Sequence, residues 1–285
     1  MSENPETLTI KRILVALDAS SDSLAALDAA VNLAARFDAE LNGIYVEDEN
    51  LLRLADLPFV QEVGHFSATC RHIKRVDLER QIRGQSRRAR RVFTSATQRT
   101  HLTWSFRTVR GRVLPEVLAA SAEADLLVLG KQGWSLYRHG RVGSTVRGIL
   151  PERFGLALIV KEGTHLAAPM AVIYDGSDVA DRALIAAEMV RSRLNNNQSL
   201  IVLVLPTDQQ DALALQAQAR SSLAAEGVAA RYRTVTGTNN IRRLADILLT
   251  EGCGTVVLPA RSSVLQNSTL TSLLDYLELP ILLVT

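Results

Sequence analysis

Features that mark secreted and membrane proteins are scarce in this sequence. Two cysteines, Cys70 and Cys253, occur in 285 residues and lie far apart, which argues against the disulfide framework of a small secreted domain. The first residues, Met1–Thr9, lack the basic start and apolar core of a secretory signal, and no apolar run is long enough to span a bilayer. We therefore expect a cytoplasmic protein.

The motifs of several enzyme classes are also missing. The sequence contains no Gly-x4-Gly-Lys-Ser/Thr phosphate loop, no Gly-x-Ser-x-Gly nucleophile turn and no His-Glu-x2-His zinc helix. After the first predicted strand, Asp18-Ala19-Ser20-Ser21 stands where a nicotinamide-dependent dehydrogenase would carry Gly-x-Gly-x2-Gly. We assign no catalytic residue and no metal ligand, and the net charge of +2 argues against a dedicated DNA-binding protein.

Short apolar runs alternate with longer segments of helical periodicity along the chain. The first run, Ile13–Leu17, predicts a strand that is buried on both faces. Ser20 or Ser21 can cap a helix that extends to about Phe37. The alternation continues with strands near 41–46, 102–109, 124–129 and 156–160, and with helices over 113–123 and from about 144. The pattern predicts an α/β fold with a parallel sheet and helices on both faces.

A segment with three spaced glycines, residues 130–145, follows the strand at 124–129, and we call it the glycine segment. It combines three glycines with two hydroxyl residues at a predicted helix start: Gly130, Gly133, Gly143, Ser144 and Thr145. Glycine permits positive φ and close approach to a ligand, and the first N–H groups of a helix attract anions, so we interpret the segment as a phosphate site. Simpler interpretations stay open: the glycines serve a tight turn, and Asp18 and Ser144 only cap helices. Four residues inside the segment either face terminal phosphates or lie in solvent: Tyr137, Arg138, His139 and Arg141.

The second half of the sequence repeats the first. Met170–Asp175 aligns with Ile13–Asp18, a strand that ends in aspartate in both halves, and later strands match in the same order. We therefore expect two homologous domains, residues 1–162 and 169–285, with an insertion at about residues 50–100 of the first.

The glycine spacing is not repeated in the second half. Pro259-Ala260-Arg261 stands where the first half has its glycines. Proline removes a backbone donor, and a Cβ obstructs close approach, so we expect only the first half to bind nucleotide well.

With these features the sequence resembles a tandem universal stress protein, in which two domains of that family form one chain. The resemblance rests on the aspartate after the first strand of each half, the Gly-x2-Gly-x9-Gly-Ser/Thr spacing and the closing apolar strands. It implies two tandem Rossmann-like (adenine nucleotide alpha hydrolase-like) domains, each a mostly parallel five-stranded sheet flanked by helices. It also implies that the halves pair through their last strands, Leu156–Val160 and Leu279–Val284, while association of two chains stays open.

The resemblance further implies a stress-response protein that binds ATP, with Mg²⁺, in its first domain. Asp18 and Val46 are implied to hold the nucleoside, and the glycines and hydroxyl groups the phosphates. The implied cofactor-binding set is Asp18, Val46, Leu129, Gly130, Gly133, Gly143, Ser144 and Thr145. ATP is then expected to change the conformation of the chain or its affinity for an unidentified protein partner, with at most slow hydrolysis.

The predicted insertion is rich in arginine. Arginine dominates residues 71–112, and Leu78, Ile82 and Val92 give this segment the partial apolar face of an amphipathic helix. The segment is either a solvated helix face or a docking surface for an anionic protein, a nucleic acid or a lipid head group, as in a non-enzymatic binding module. Three residues match no structural zinc spacing, and we interpret them as surface or packing residues: His65, Cys70 and His72.

Overall fold

A computed structural model describes residues 8–57, 61–63, 70–72, 75–133, 142–194, 200–206, 211–224, 227–236, 241–262 and 264–285. The N-terminal half contains β1 (Arg12–Leu17), α1 (Ser21–Phe37), β2 (Glu40–Asp48), α2 (Glu49–Ala55), β3 (Gln61–Val63), β4 (Cys70–His72), α3 (Arg75–Thr97), β5 (Trp104–Gly111), α4 (Val113–Ser121), β6 (Leu126–Gly130), α5 (Ser144–Ile149) and β7 (Leu156–Val160). The C-terminal half contains β8 (Met170–Tyr174), α6 (Asp178–Arg193), β9 (Leu200–Val204), α7 (Ala212–Ala224), β10 (Ala230–Thr234), α8 (Ile241–Thr250), β11 (Thr255–Pro259), α9 (Asn267–Tyr276) and β12 (Ile281–Val284).

Within the described residues, ten strands form one sheet in the order β10-β9-β8-β11-β12-β7-β6-β1-β2-β5. Within this sheet the five strands of each half are parallel to one another. Strand β1 lies between β2 and β6, and β8 lies between β9 and β11. The predicted α/β fold with a mostly parallel sheet is thus confirmed. The strand order reverses beside the first strand of each half, which is where ligand crevices open in such sheets.

The two halves join where β7 lies antiparallel to β12. Ile159 stands opposite Ile281 and Ala157 opposite Leu283, and both strands are buried along their whole length. The N–H of Thr285 continues the contact by donating to the carbonyl of Gly155, at 3.0 Å. The predicted pairing of the last strands is therefore present within one chain, and it makes the sheet continuous.

Helices cover both faces of the sheet because its central strands are apolar on both sides. Strands β7, β8, β9, β11 and β12 are buried throughout, as expected of strands between two helical layers. One apolar core includes the inner faces of α1, α3, α6 and α7, and the other those of α4, α5, α8 and α9. These five strands therefore offer few polar side chains, in contrast to the exposed edge strands β5 and β10.

The insertion adds α2, α3 and a small antiparallel ribbon, β3–β4, to the N-terminal half. The amphipathic helix predicted within residues 71–112 is confirmed as α3, but the ribbon was not predicted, because strands of only three residues show no periodicity in the sequence. Helix α3 packs through Ile82, Ala89 and Phe93, and a Cβ on Gly43 of β2 would lie 2.6 Å from the rings of Phe93 and Phe106. No helix among the described residues is both long and apolar enough to cross a membrane.

Candidate functional site

A cleft of about 500 Å³ opens at the carboxyl ends of β1, β2 and β6, beside the point where the strand order reverses. Its volume is in the range of small-molecule sites. All eight residues of the implied cofactor-binding set line it: Asp18, Val46, Leu129, Gly130, Gly133, Gly143, Ser144 and Thr145. The structure brings these residues together, and their ligand stays a prediction.

Asp18 forms a tight turn between β1 and α1. Its Oδ1 accepts the N–H of Ser20 at 2.9 Å, and Ala19 between them has a left-handed φ of 63°. The capping interpretation of Asp18 is wrong, because Ser20 is the N-cap of α1 and its Oγ accepts the N–H of Ser23. The other carboxylate oxygen of Asp18 faces the glycine segment, since a Cβ on Gly133 would lie 2.9 Å from it. The turn therefore directs this carboxylate into the cleft.

The three glycines lie in close contact with neighbouring atoms, most tightly at Gly130. None of them adopts a left-handed φ, and Gly143 has a φ of −62°, so close approach and not backbone conformation explains glycine here. A Cβ on Gly130 would lie 2.7 Å from main-chain atoms of Asp22 and Ser23. A Cβ on Gly143 would lie 3.2 Å from the main-chain nitrogen of Gly133. Glycine thus lets the segment pack against the first turn of α1 and against itself.

A buried carboxylate that the sequence analysis did not identify holds this arrangement. Oδ2 of Asp22 accepts the main-chain N–H of Gln132 and Oδ1 accepts that of Glu162, both at 2.9 Å. The hydroxyl of Ser20 donates to the carbonyl of Gln132 at 3.3 Å. Asp22 lies in the first turn of α1, where the helix dipole favours a negative charge. One side chain thus connects α1, the glycine segment and the residues after β7.

The glycine segment leads into α5 with Gly143 as the N-cap. The interpretation of Ser144 as an N-cap is therefore wrong, because Ser144 is the first helical residue. The carbonyl of Gly143 accepts the N–H of Arg147 at 3.0 Å and starts the helix. Ser144 and Thr145 occupy the first turn and line the cleft.

The insertion supplies a second wall of the cleft, which was not predicted. Asn50 and Leu51 of α2 and Ile82 and Gln85 of α3 line it. The hydroxyl of Tyr45, in the second half of β2, donates to Oε1 of Gln85 at 3.2 Å. Burial, with the nearby carboxylates of Asp18 and Glu47, raises the pKa of Tyr45 to about 12, so this hydroxyl stays protonated at neutral pH. The amide of Gln85 is held at the cleft by this bond.

The start of α4 forms the remaining wall. Its contribution is largely apolar and consists of Val113, Leu114, Pro115 and Val117. Arg112, the N-cap of α4, is a cation among the described lining residues, and Asp18 and Asp48 are carboxylates. The cleft therefore combines an apolar wall with a polar floor of main-chain groups and hydroxyls.

Some residues that the sequence analysis considered lie outside the described part of the chain. These are Tyr137, Arg138, His139 and Arg141 of the glycine segment, His65, and the side chains of Cys70 and His72.

The C-terminal half repeats the aspartate turn without the glycines. Oδ1 of Asp175 accepts the N–H of Ser177 at 3.1 Å, Ser177 caps α6, and Gly176 has a φ of 79°. Oδ2 of Asp175 is buried and has no hydrogen-bond partner within the described residues. Pro259 pairs with the last strand at the position that Gly130 occupies in the N-terminal half.

Comparisons with known proteins agree with this architecture. The sequence profile of the universal stress protein family matches residues 9–151. A universal stress protein from Archaeoglobus fulgidus DSM 4304 is 16% identical, with a TM-score of 0.69 over 96% of this chain and 98% of that chain. A functionally unknown protein, PA1789, from Pseudomonas aeruginosa PAO1 is 15% identical, with a TM-score of 0.55 over 99% of this chain and 94% of that chain. At these identities the two likenesses show the fold alone, and no curated protein matches the chain.

Proposed function

The chain belongs to the universal stress protein family, and from that premise we propose that its N-terminal half binds ATP, with Mg²⁺, and acts as a stress-response regulator. One observation carries the proposal: residues from distant parts of the sequence that the family resemblance assigns to ATP all line one cleft. The volume of the cleft and its place at the strand-order reversal support a nucleotide ligand.

In this proposal the nucleoside lies beside Asp18 and Val46, against the apolar wall that α4 provides. The phosphates lie on the glycine segment and on the hydroxyls of Ser144 and Thr145. Because glycine has no side chain, the phosphates can come close to the main chain, whose N–H groups stabilise an anion. Mg²⁺ would enter with the triphosphate and neutralise part of its charge.

The proposed role is regulation by bound nucleotide, with at most slow hydrolysis. A triphosphate can shift a conformational equilibrium only if it contacts two states of the protein differently. The proposed readout is a change in conformation or in affinity for a protein partner.

We also propose that the C-terminal half is a second, degenerate domain of the same family, with domains at 1–162 and 169–285. The common strand order and the repeated Asp-x-Ser turn support this. Pro259 in place of Gly130 supports one nucleotide per chain. A cytoplasmic location stays a prediction.

Isothermal titration with ATP tests the proposal on the wild type, Asp18→Ala and Ser144→Ala. Gly130 is a poor target, because a Cβ there collides with main-chain atoms of α1. Asn267 is the first residue of α9, as Ser144 is of α5, so Asn267→Ala is a matched control. We expect each cleft variant to bind ATP about tenfold more weakly, and the control to bind normally. No binding by the wild type at millimolar ATP contradicts the proposal, and unchanged affinity in both cleft variants contradicts the assigned site.

A second candidate function is docking of an anionic partner on α3. Arg87, Arg88, Arg90 and Arg91 are exposed on this helix, and none of them forms an ion pair within the described residues. The test measures binding to anionic vesicles and to an oligonucleotide. Binding supports this function if it weakens as salt is added and is lost when the four arginines are replaced by glutamine. Absence of binding at low salt contradicts it.

A further inference from the structure

The side chain of Lys131, inside the glycine segment, points away from the cleft and into the C-terminal half. Its Nζ donates to the carbonyl of Leu277 at 2.8 Å and to that of Asp275 at 3.3 Å, and lies 3.3 Å from Oε1 of Glu278. The residue is only 2% exposed. A buried ammonium that is hydrogen-bonded to the end of α9, in the other half of the chain, fixes the main chain of its own segment.

The far end of the glycine segment is bound to the same place. The N–H of Val142 donates to Oδ1 of Asp275 at 2.5 Å, and Arg147 of α5 lies 3.8 Å from Oδ2 of the same carboxylate. The two described ends of the segment also contact each other, because Gly143 donates its N–H to the carbonyl of Lys131 at 2.8 Å. Both ends of the segment are thus attached to the final turn of α9.

These attachments adjoin the cleft but do not line it. Gln132 and Gly143, the neighbours of Lys131 and Val142 in sequence, line the cleft, whereas Asp275 does not. Ala260 stands at the corresponding position of the C-terminal half, where its N–H pairs with the last strand as that of Lys131 does. Because this position is alanine in the C-terminal half, a long side chain that reaches into the other half occurs here only in the N-terminal half.

We propose that Asp275 is a positioning residue for the polyphosphate of the nucleotide: together with the carbonyl groups that hold Lys131, it fixes both ends of the glycine segment. The inference rests on the proposed binding of ATP and gives the C-terminal half a role in it. Phosphate affinity then depends on a carboxylate in the other half of the chain. Because linkage is reciprocal, bound triphosphate strengthens the attachment of α9 to the glycine segment.

Titration of ATP and of adenosine into the full chain separates this role from a general structural one. Asp275→Ala removes the acceptor of the Val142 N–H, Asp275→Asn keeps an oxygen acceptor, and Ser272→Ala alters an exposed residue of the same helix. We expect Asp275→Ala to weaken ATP binding about tenfold while adenosine affinity stays within about twofold of the wild type. Asp275→Asn should restore ATP binding to within about threefold, and Ser272→Ala should match the wild type.

Failure of the inference and failure of the proposed function give different results. A folded Asp275→Ala protein that binds ATP like the wild type, or that loses adenosine and ATP equally, overturns the inference. Absence of ATP binding in the wild type overturns the proposed function itself. If Asp275→Ala does not fold, Lys131→Met applies the same test to the other end of the segment, and unchanged ATP affinity in that variant also overturns the inference.

Discussion

Oδ2 of Asp22 lies 2.9 Å from the main-chain nitrogen of Gln132, although 110 residues separate the two in sequence. The other oxygen accepts the N–H of Glu162, so a single buried carboxylate satisfies two main-chain donors that no strand or helix pairs. We expect Asp22→Ala to lower the free energy of unfolding by about 2–3 kcal/mol, because two N–H groups lose a charged acceptor.

Urea unfolding of the wild type and the variant measures this difference. Asp28→Ala is the control, since Asp28 is on the same helix and is exposed. If both variants lowered the free energy of unfolding equally, the buried hydrogen bonds of Asp22 would not explain its effect on stability.

Gly130 of the site and Gly84 of α3 should respond to alanine in opposite directions. Gly130→Ala places a Cβ 2.7 Å from main-chain atoms of α1, which can shift only if the helix moves. We therefore expect the free energy of unfolding to fall by about 1–3 kcal/mol. A Cβ on Gly84, within α3, meets no atom within 4 Å, and Gly84→Ala should raise stability by about 0.5–1 kcal/mol. Thermal unfolding of both variants checks the signs, and a stable Gly130→Ala protein would contradict the packing explanation.

The sheet could be predicted from the sequence because its strands carry local signals. Continuous apolar runs such as Leu156–Val160 indicate burial on both faces, and Ser20 indicates the start of α1. The proximity of Asp18 to the glycine segment follows from the strand order, since both stand at carboxyl ends of adjacent strands.

Side chains that meet only through tertiary packing could not be predicted. Tyr45 and Gln85 are 40 residues apart and meet because α3 packs on β2. Lys131 directly follows Gly130 of the site, yet its ammonium is buried against the C-terminal half. No local periodicity encodes either contact.

The bond between Tyr45 and Gln85 leads to a prediction about the nucleoside end of the cleft. Tyr45→Phe removes the donor that holds the Gln85 amide, and Gln85→Ala removes the amide itself. Because both groups line the cleft away from the glycine segment, we expect each variant to bind adenosine and ATP about threefold to tenfold more weakly, to the same extent for both ligands.

Gln81→Ala is the matched control for this pair, since Gln81 is exposed on the same helix. Competition titrations with the two ligands give the comparison. A variant that loses affinity for ATP but not for adenosine would contradict the placement of the nucleoside.

Lys131 should make stability depend on pH in an identifiable way. Burial, reinforced by the nearby charge of Lys161, lowers the pKa of Lys131 to about 8, although the carboxylates of Asp275 and Asp22 favour its charged form. Glu278 also faces the ammonium. Above pH 8 the folded protein releases this proton, while the unfolded chain keeps it up to its ordinary pKa of 10.5. The unfolded state then binds more protons, so the contribution of Lys131 to stability increases with pH between these values.

The measurement is the difference in unfolding free energy between the wild type and Lys131→Met at pH 7 and at pH 9.5. The variant loses the bonds to the Leu277 and Asp275 carbonyls at every pH, so only the change in the difference reports the titration. A folded pKa of about 8 predicts that the difference shifts in favour of the wild type by about 2 kcal/mol over this interval. Titrating groups that do not interact with Lys131 occur in both proteins and cancel in the comparison. A difference that is independent of pH would mean that Lys131 keeps its ordinary pKa and that its ammonium is not desolvated at the junction between the halves.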